Sequence, residues 1–235
     1  MTSSDLQQAI TLTRERLYPS VKNPNWLVLR KRREIFRRWL NRLPAKKLIV
    51  LDVGGRLQPY RELLGDRILR YTSVDLRWTP LVDVIATGAQ LPFAAECFDL
   101  VICTQVLEYI PEPETMLSEI HRVLRPGGTL MLSAPTAQPR DADHECWGFH
   151  PAGIRKLLAR YSDVEVIPEG GSITGFFRTV NACLNIFAKY APIRFLFTIT
   201  LFPFFNLVGL CLENLAGSSN DQFSVNHSAL ARKAD

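Results

Sequence analysis

The run Lys47 to Val53, KLIVLDV, is apolar almost throughout and is closed at once by Gly54 and Gly55. A segment that short and that evenly apolar suits a strand buried on both faces, the condition of a parallel sheet covered by helices. Phe98 to Cys103, FDLVIC, repeats the pattern, and Thr129 to Ala134 reads as the next strand. Between these two, a helix opened by Pro113 carries Met116, Leu117, Ile120, Val123 and Leu124 on one face. Glu112 and Glu114 at its start and Arg122 and Arg125 at its end match the helix dipole, and Pro126-Gly127-Gly128 is expected to stop it. Further strands are expected at the segment ending Ser73-Val74-Asp75, around Leu81 to Ala86, and at Asp163 to Ile167. Helices are expected near Tyr60 to Leu64 and from Pro151 to Tyr161. Strands and helices alternating through short turns predict an α/β fold with a doubly wound, mostly parallel sheet, whose ligands lie beyond the carboxyl ends of the strands.

The turn after the first strand reads LDVGGRLQPY, and Asp75 follows Gly54 by 21 positions. That is the spacing of a site in which a carboxylate takes ribose hydroxyls. A dinucleotide needs bare backbone for its pyrophosphate, yet Arg56 and Pro59 stand where the second and third glycines of a G-x-G-x-x-G loop belong. S-adenosylmethionine has no phosphate and asks less of the loop. Asp52, at the strand's end, is then set to stabilise that cofactor's cationic amino group, directly or through water. A tight strand-to-helix turn with no ligand is the plain alternative for the glycines alone.

The stretch LPFAAECFDLVICTQVLEYIPEPETMLSEIHRVLRPGGTLMLSAP, residues 91–135, closely resembles the class I S-adenosylmethionine-dependent methyltransferase family, in particular the branch carrying the type 11 methyltransferase domain. The shared pattern is a Leu-Pro-Phe loop, an Asp opening the fourth strand, and a helix ending in Arg-Val-Leu-x-Pro-Gly-Gly. The resemblance runs from about Lys47 to Gly171. It implies that Asp52, Gly54 and Gly55 line the methionine part of the cofactor, that Asp75 accepts the ribose diol, and that Leu76 flanks the adenine. It further implies that Thr87, Gly88, Ala89 and Gln90 form the adenine edge, while Thr104 and Gln105 close the pocket after the fourth strand. No metal is implied. Three departures stand out: Arg56 and Gln58 where the family often has more glycine, Thr87 in place of an Asp, and Tyr109 in place of a His. The second removes a side-chain acceptor for the adenine amino group and leaves backbone groups or Gln90 to serve.

Methyl transfer is an in-line displacement at a methyl already activated by sulfonium, so the protein mainly holds the acceptor atom close and collinear. A general base is needed only where the acceptor must lose a proton. The loop PTAQPRDADHECWGFHPAGIRKLL, after the fifth strand, resembles the family's acceptor-side segment. His144 is the first candidate base, followed by Glu145 and His150. Each has a plainer reading as a solvated loop residue. Trp147 and Phe149 either wall the acceptor or anchor the loop.

Residues 1–47 carry 12 Lys/Arg against 3 Asp/Glu, or +9, and the rest carry 16 against 20, or −4. Within the basic part, Trp26, Leu29, Arg33, Phe36, Leu40 and Leu43 fall at helical spacing, predicting a basic amphipathic helix ended by Pro44. Near the other end, Phe195 to Leu212 holds 18 residues without a charge, at the border between a spanning helix and a buried or interfacial one. Pro203, Asn206 and Gly209 weaken a straight span. Gln222 to Arg232 reads as a returning edge strand, which favours an interface-lying helix pair, or an in-and-out hairpin, with Phe176 to Tyr190 as the other arm. The chain then divides into a basic helical extension (1–45), a cofactor-binding methyltransferase core (46–171), an apolar helical insert (172–220) and a final strand and tail (221–235).

Five cysteines without metal spacing and a polar start without a secretory pattern point to a cytoplasmic protein with free thiols, and the basic helix and the apolar insert together point to a peripheral position on the inner membrane face. The expected acceptor is amphiphilic, a small molecule or a lipid-linked glycan. A soluble small-metabolite enzyme with the insert as a lid, a homodimer formed through the apolar face, and a cofactor-binding scaffold without catalysis are the competing readings. Nucleic acid is disfavoured as a partner, because no Asn/Asp-Pro-Pro-aromatic motif and no RNA-binding module is found.

Overall fold

The computed structural model describes residues 3–137, 147–216 and 220–235. Seven strands form one sheet: β1 (Leu48–Val53), β2 (Ile68–Asp75), β3 (Val84–Ile85), β4 (Phe98–Thr104), β5 (Leu124–Pro135), β6 (Ser162–Pro168) and β7 (Asn226–Arg232). Their order is β3-β2-β1-β4-β5-β7-β6. The first five pair in parallel, and β7 runs antiparallel to both β5 and β6. Because β1 has β2 on one side and β4 on the other, the chain leaves the sheet in opposite directions there. Such a switch point, at the carboxyl ends of those strands, is where sheets of this kind form their ligand crevice.

The strands divide their side chains between two cores with the expected period of two. Leu51, Val53, Val101, Cys103, Leu130 and Leu132 face one layer, with α4 (Pro113–Val123) and α5 (Pro151–Leu157) packed over it. Val50, Leu100, Ile102 and Met131 face the other, covered by α2 (Trp26–Arg42), with Leu17 of α1 (Ser3–Leu17) and Leu64 of α3 (Arg61–Leu64). Burial on both faces explains why KLIVLDV and FDLVIC are continuous rather than alternating apolar runs.

Three expectations need correction. The basic helix occupies the expected residues, but its buried face is Leu27, Val28, Arg32, Ile35, Phe36, Trp39 and Leu40. Trp26, Leu29 and Arg33 are only half-buried, so the helix is turned by about one residue, or 100°, from the face read off the sequence. The fourth helix ends at Val123, with Leu124 already extended, so β5 passes through Pro126-Gly127-Gly128 instead of starting after it. The last strand is not at the edge: β7 lies between β5 and β6, and β6 takes the edge.

The apolar insert forms α6 (Ser172–Asn185), α7 (Ala191–Ile199) and α8 (Leu201–Ala216), the last two separated by Thr200. Asn181 and Asn206, both fully buried, bond each other at 3.0 Å, and Asn206 Nδ2 donates to the carbonyls of Val21 and Asn23. Two buried amides spent on backbone carbonyls tie the insert to the start of α2. Its outer face stays open: Phe176, Ile186, Phe187, Tyr190, Phe195, Leu196, Phe204, Leu207 and Leu215 are exposed.

Candidate functional site

The crevice starts at the β1 turn. Gly54 has a φ of +76°, a conformation that a side chain strains, and a Cβ there would collide with Val106. The N–H groups of Gly54 and Gly55 both donate to the carbonyl of Val74, at 2.8 and 3.1 Å. This binds the turn to the end of β2, beside Asp75. A Cβ on Gly55 would stand 2.7 Å from the Asp52 carbonyl and 2.8 Å from its carboxyl carbon, so the backbone stays bare where β1 ends. Gln58, at a position where the family often has glycine, takes a φ of +48° and is buried, its amide donating to Ser73 Oγ at 3.0 Å. The turn geometry is thus kept without the glycine.

Asp52 is buried, and the Tyr71 hydroxyl donates to its Oδ2 at 2.6 Å. Burial pushes the Asp52 carboxyl up to about 7; the Tyr71 bond opposes this and the charge of Asp75 adds to it. Burial first, and then Asp52, hold the Tyr71 phenol well above its usual range. Asp75 is half-buried at the end of β2, where its Oδ1 accepts the Arg77 N–H at 2.8 Å. Leu76 beside it is exposed. Thr87, Gly88, Ala89 and Gln90 form a turn in which Gln90 N–H donates to the Thr87 carbonyl at 3.2 Å. Gly88 is closely backed by Met116, whose methyl carbon would lie 2.9 Å from a Cβ. Thr104 ends β4 and Gln105 follows it, directing its amide toward Ser133 and Asn226, on β5 and β7.

Of the candidate bases, His144 and Glu145 lie outside the described residues. His150 is exposed and precedes α5, with no side-chain bond capping that helix. Trp147 donates from its indole to the carbonyls of Ile110 and Pro111 at 3.0 and 3.1 Å, and the Phe149 N–H donates to Pro135 at 2.7 Å. Both residues therefore anchor the loop to the segment after β4 and to β5.

The sequence reading missed four groups at this end of the sheet. Glu108, buried beside the end of β4, raises the Cys103 thiol together with burial, the larger cause, and Asp52. His227, also buried, shares a 2.7 Å hydrogen bond between Nδ1 and Thr136 Oγ1, and its Nε2 has no partner among the described residues. Burial lowers its pKa, which favours the neutral ring. Arg32 and Glu169 form a buried ion pair, with Arg32 Nε 2.8 and 2.9 Å from the two carboxylate oxygens. The hydroxyls of Ser133 and Ser228 each donate to Glu169 Oε1 at 2.6 Å. Burial works against the Arg32 charge, but Glu169 and Tyr60 outweigh it and hold the guanidinium above its ordinary value. An arginine inside a run of basic residues gives no sign of which one turns inward, and His227 acquires its setting only once β7 inserts beside β5.

A family model described as a methyltransferase domain matches residues 51–132, the segment from β1 through most of β5. An uncharacterized methyltransferase of Mycobacterium avium is 31% identical over 125 residues, 48% of this chain and 49% of that protein. The chain thus spans about half the length of the curated relatives it matches. Among solved structures, Haemonchus contortus phosphoethanolamine N-methyltransferase 2 in complex with S-adenosyl-L-methionine is similar at a TM-score of 0.58 and 13% identity, covering 94% of this chain and 59% of that one. Burkholderia thailandensis 1,6-didemethyltoxoflavin-N1-methyltransferase, with bound 1,6-didemethyltoxoflavin and S-adenosylhomocysteine, is similar at 0.54 and 17%, covering 99% and 87%. At such identities these structures speak for the fold. Residues 51–132 thus form a methyltransferase domain, carried on a mostly parallel sheet of the same fold as these S-adenosylmethionine-dependent methyltransferases.

Proposed function

We propose that this protein transfers a methyl group from S-adenosylmethionine to an amphiphilic acceptor at the cytoplasmic membrane face. The observation that carries the reading is the pairing of a bare, positive-φ turn at Gly54 and Gly55 with the half-buried Asp75, joined through the Val74 carbonyl. Such a crevice suits an adenosyl ligand without phosphate: backbone can be approached at the turn, and a carboxylate stands ready for a ribose diol. Asp52 backs the turn and is the charge available to an ammonium group, Leu76 offers an apolar surface to a purine, and Thr87 to Gln90 and Thr104 to Gln105 line the remaining edges. When bound, the sulfonium supplies an activated methyl. The protein's part is then to hold the acceptor in line with it and, for a hydroxyl acceptor, to remove a proton through His144, Glu145 or His150.

The membrane side of the proposal is supported by the insert. Ala191–Ala216 is long and apolar enough to cross a bilayer, and only 17% of its 18-residue apolar window is buried, unlike a core helix. The Asn181–Asn206 tie to the start of α2 favours a helix pair lying along the interface over a crossing, because a spanning α8 would have to release those buried amides. The same tie is compatible with a lid in a soluble enzyme. Titration of the full chain with S-adenosylhomocysteine tests the first part: absence of binding rejects methyl transfer. Detergent-free fractionation at low salt tests the second: full recovery in the soluble fraction rejects membrane attachment and leaves the lid.

A further inference from the structure

Gln105 stands where the glycine turn and the β5–β7 side of the sheet come closest. On one side its neighbour Val106 fills the space that a side chain on Gly54 would need, so the segment after β4 lies against the turn. On the other side its Nε2 donates to Asn226 Oδ1 at 3.2 Å, to Ser133 Oγ at 3.3 Å and to the Ser133 carbonyl at 3.4 Å. Its φ of +55° is one that a non-glycine residue rarely adopts, and its N–H, donating to the Ser133 carbonyl at 2.8 Å, holds the chain there. The direction of the amide is dictated from the far end of a buried hydrogen-bond chain. Glu169, a carboxylate paired with Arg32, only accepts hydrogen bonds. Ser133 therefore spends its one hydroxyl proton on Glu169, at 2.6 Å, and offers lone pairs to its other neighbours. Asn226 points Nδ2 at Ser133 Oγ, at 3.0 Å, which turns its Oδ1 toward Gln105. Gln105 thus meets acceptors alone on that side, so its NH2 faces inward and Oε1 is turned away from β5 and β7. Among the described residues no hydrogen bond reaches that oxygen, and a half-buried amide tied on its nitrogen side keeps its oxygen in one direction.

We infer that Gln105 Oε1 is a specificity determinant for the methyl acceptor: it receives a hydrogen bond from a hydroxyl or amino group at or next to the methylated atom, and it disfavours a carboxylate or phosphate at that point. This rests on the crevice being a methyltransferase site. With the activated methyl over the turn at Gly54 and Gly55, an acceptor entering from the β5 and β7 side meets Gln105 on its way. An amide oxygen has no proton to give, so a group presenting only lone pairs would leave both sides unpaired, whereas an O–H or N–H is held with its reacting atom in place. Sites built to hydrogen-bond a substrate group reject analogues that lack it far more strongly than apolar pockets do. The main chain of Gln105 keeps its place at the cofactor edge while the side chain serves the acceptor. The Arg32–Glu169 pair touches no substrate and acts as a positioning device: its charge sets the polarity of Ser133 and Asn226, and through them that of Gln105.

The test follows tritium from methyl-labelled S-adenosylmethionine into organic-phase and aqueous-phase extracts of cells lacking the protein, for the full-length wild type, Gln105→Met and Asn226→Ala, with titration of S-adenosylhomocysteine alongside. Gln105→Met is expected to raise the half-saturating extract concentration about fivefold or more while changing the S-adenosylhomocysteine affinity less than about twofold; Asn226→Ala, which frees the amide to turn, should raise it by a smaller factor. Acetylating the extract beforehand, which caps hydroxyl and amino groups, should abolish labelling. Thermal unfolding checks that the variants fold, and nuclear magnetic resonance of the wild type needs neither variant nor acceptor: the Gln105 side-chain NH2 protons should exchange with solvent more slowly than those of the exposed Gln7 and Gln8. The proposal is overturned if these protons exchange as fast as those of Gln7, if acetylated extract is labelled as well as untreated extract, or if Gln105→Met leaves the half-saturating concentration unchanged. It is also overturned if Gln105→Met weakens S-adenosylhomocysteine by the same factor, since the oxygen would then serve the cofactor. A wild type that does not bind S-adenosylhomocysteine rejects the methyltransferase reading instead, while the exchange measurement still reports on the amide. One that binds it and labels neither extract rejects the acceptor role of Gln105 together with catalysis. Label in the organic phase identifies an amphiphilic acceptor, and label in the aqueous phase alone a soluble one.

Discussion

The Tyr71 hydroxyl donates to Oδ2 of Asp52 across 2.6 Å, joining β2 to the end of β1 beneath the glycine turn. A phenol that donates to a carboxylate favours the charged form, yet burial outweighs it and the Asp52 carboxyl is pushed up to about 7. The protein therefore keeps a carboxyl beneath the glycine turn that changes charge near neutrality.

Stability should report that shift. The folded chain holds the Asp52 proton to higher pH than the unfolded chain, whose carboxyl has the ordinary value of 3.8. The folded state thus loses stability as pH rises from about 4 to about 7, and the loss is then constant. Asp52→Asn removes the charge, so it should raise the unfolding temperature at pH 8 relative to wild type and show no such gain near pH 4. The shift corresponds to at most about 4 kcal/mol, before the cost of burying the new amide group. A difference between the two proteins that is the same at both pH values would refute the assignment.

Cofactor binding should be linked to the same proton. A cationic amino group beside Asp52 favours the ionised carboxylate, so binding at pH 6 should release protons. Affinity for S-adenosylmethionine should rise between pH 5 and 8 and flatten above about 7. Calorimetry in buffers of different ionisation enthalpy measures the release. Proton uptake, or an affinity independent of pH, would separate Asp52 from the cofactor.

Asp75 makes a contrasting case because it is only half-buried and its bond to the Arg77 N–H is local. Asp75→Asn keeps an oxygen for that turn but loses the charged acceptor for a ribose diol. A hydrogen bond to a charged group contributes about 1.5–3 kcal/mol, so the affinity for S-adenosylhomocysteine should fall roughly 10- to 100-fold with little change in unfolding temperature. Unchanged affinity would move the ribose elsewhere.

What the sequence disclosed follows from what was local. KLIVLDV and FDLVIC are buried on both faces, so composition alone announces them, and Gly54 and Asp75 sit at strand ends where spacing carries meaning. The side of α2 that faces inward was misjudged because Trp26 and Leu29 look as apolar as Leu27 and Val28. The choice was made by Glu169, a carboxylate 137 residues away that draws Arg32 into the interior. The interior position of β7 was equally out of reach, since a short strand reads the same at an edge or between two neighbours. His227 could not be singled out for the same reason: its setting comes from tertiary approach, not from adjacent residues.

Glu169 is the carboxylate on which several elements depend, and Glu169→Gln should show it. The substitution leaves Arg32 buried without its counter-charge and disturbs the acceptor shared by Ser133 and Ser228. Breaking one partner of a buried pair typically costs about 3–5 kcal/mol, so denaturant unfolding should lose that much. Replacing both partners together by apolar residues should cost less. Equal losses would mean that the pair is not the unit that matters.

The outer face of the insert decides between a membrane and a lid. Phe195, Leu196 and Leu215 are exposed, so replacing them with serine removes little packing and should leave the unfolding temperature nearly unchanged. If the helices lie in a lipid interface, each large apolar side chain buried there contributes about 1.5–3 kcal/mol, and the triple variant should lose vesicle binding altogether. The basic face of α2, where Arg37 and Arg38 are exposed, would add attraction that salt weakens. Sedimentation with anionic vesicles at low and high salt measures both contributions. Retained vesicle binding by the triple variant, or none by the wild type, would instead place this face over a soluble acceptor, and the variant should then show its defect as a raised KM in solution.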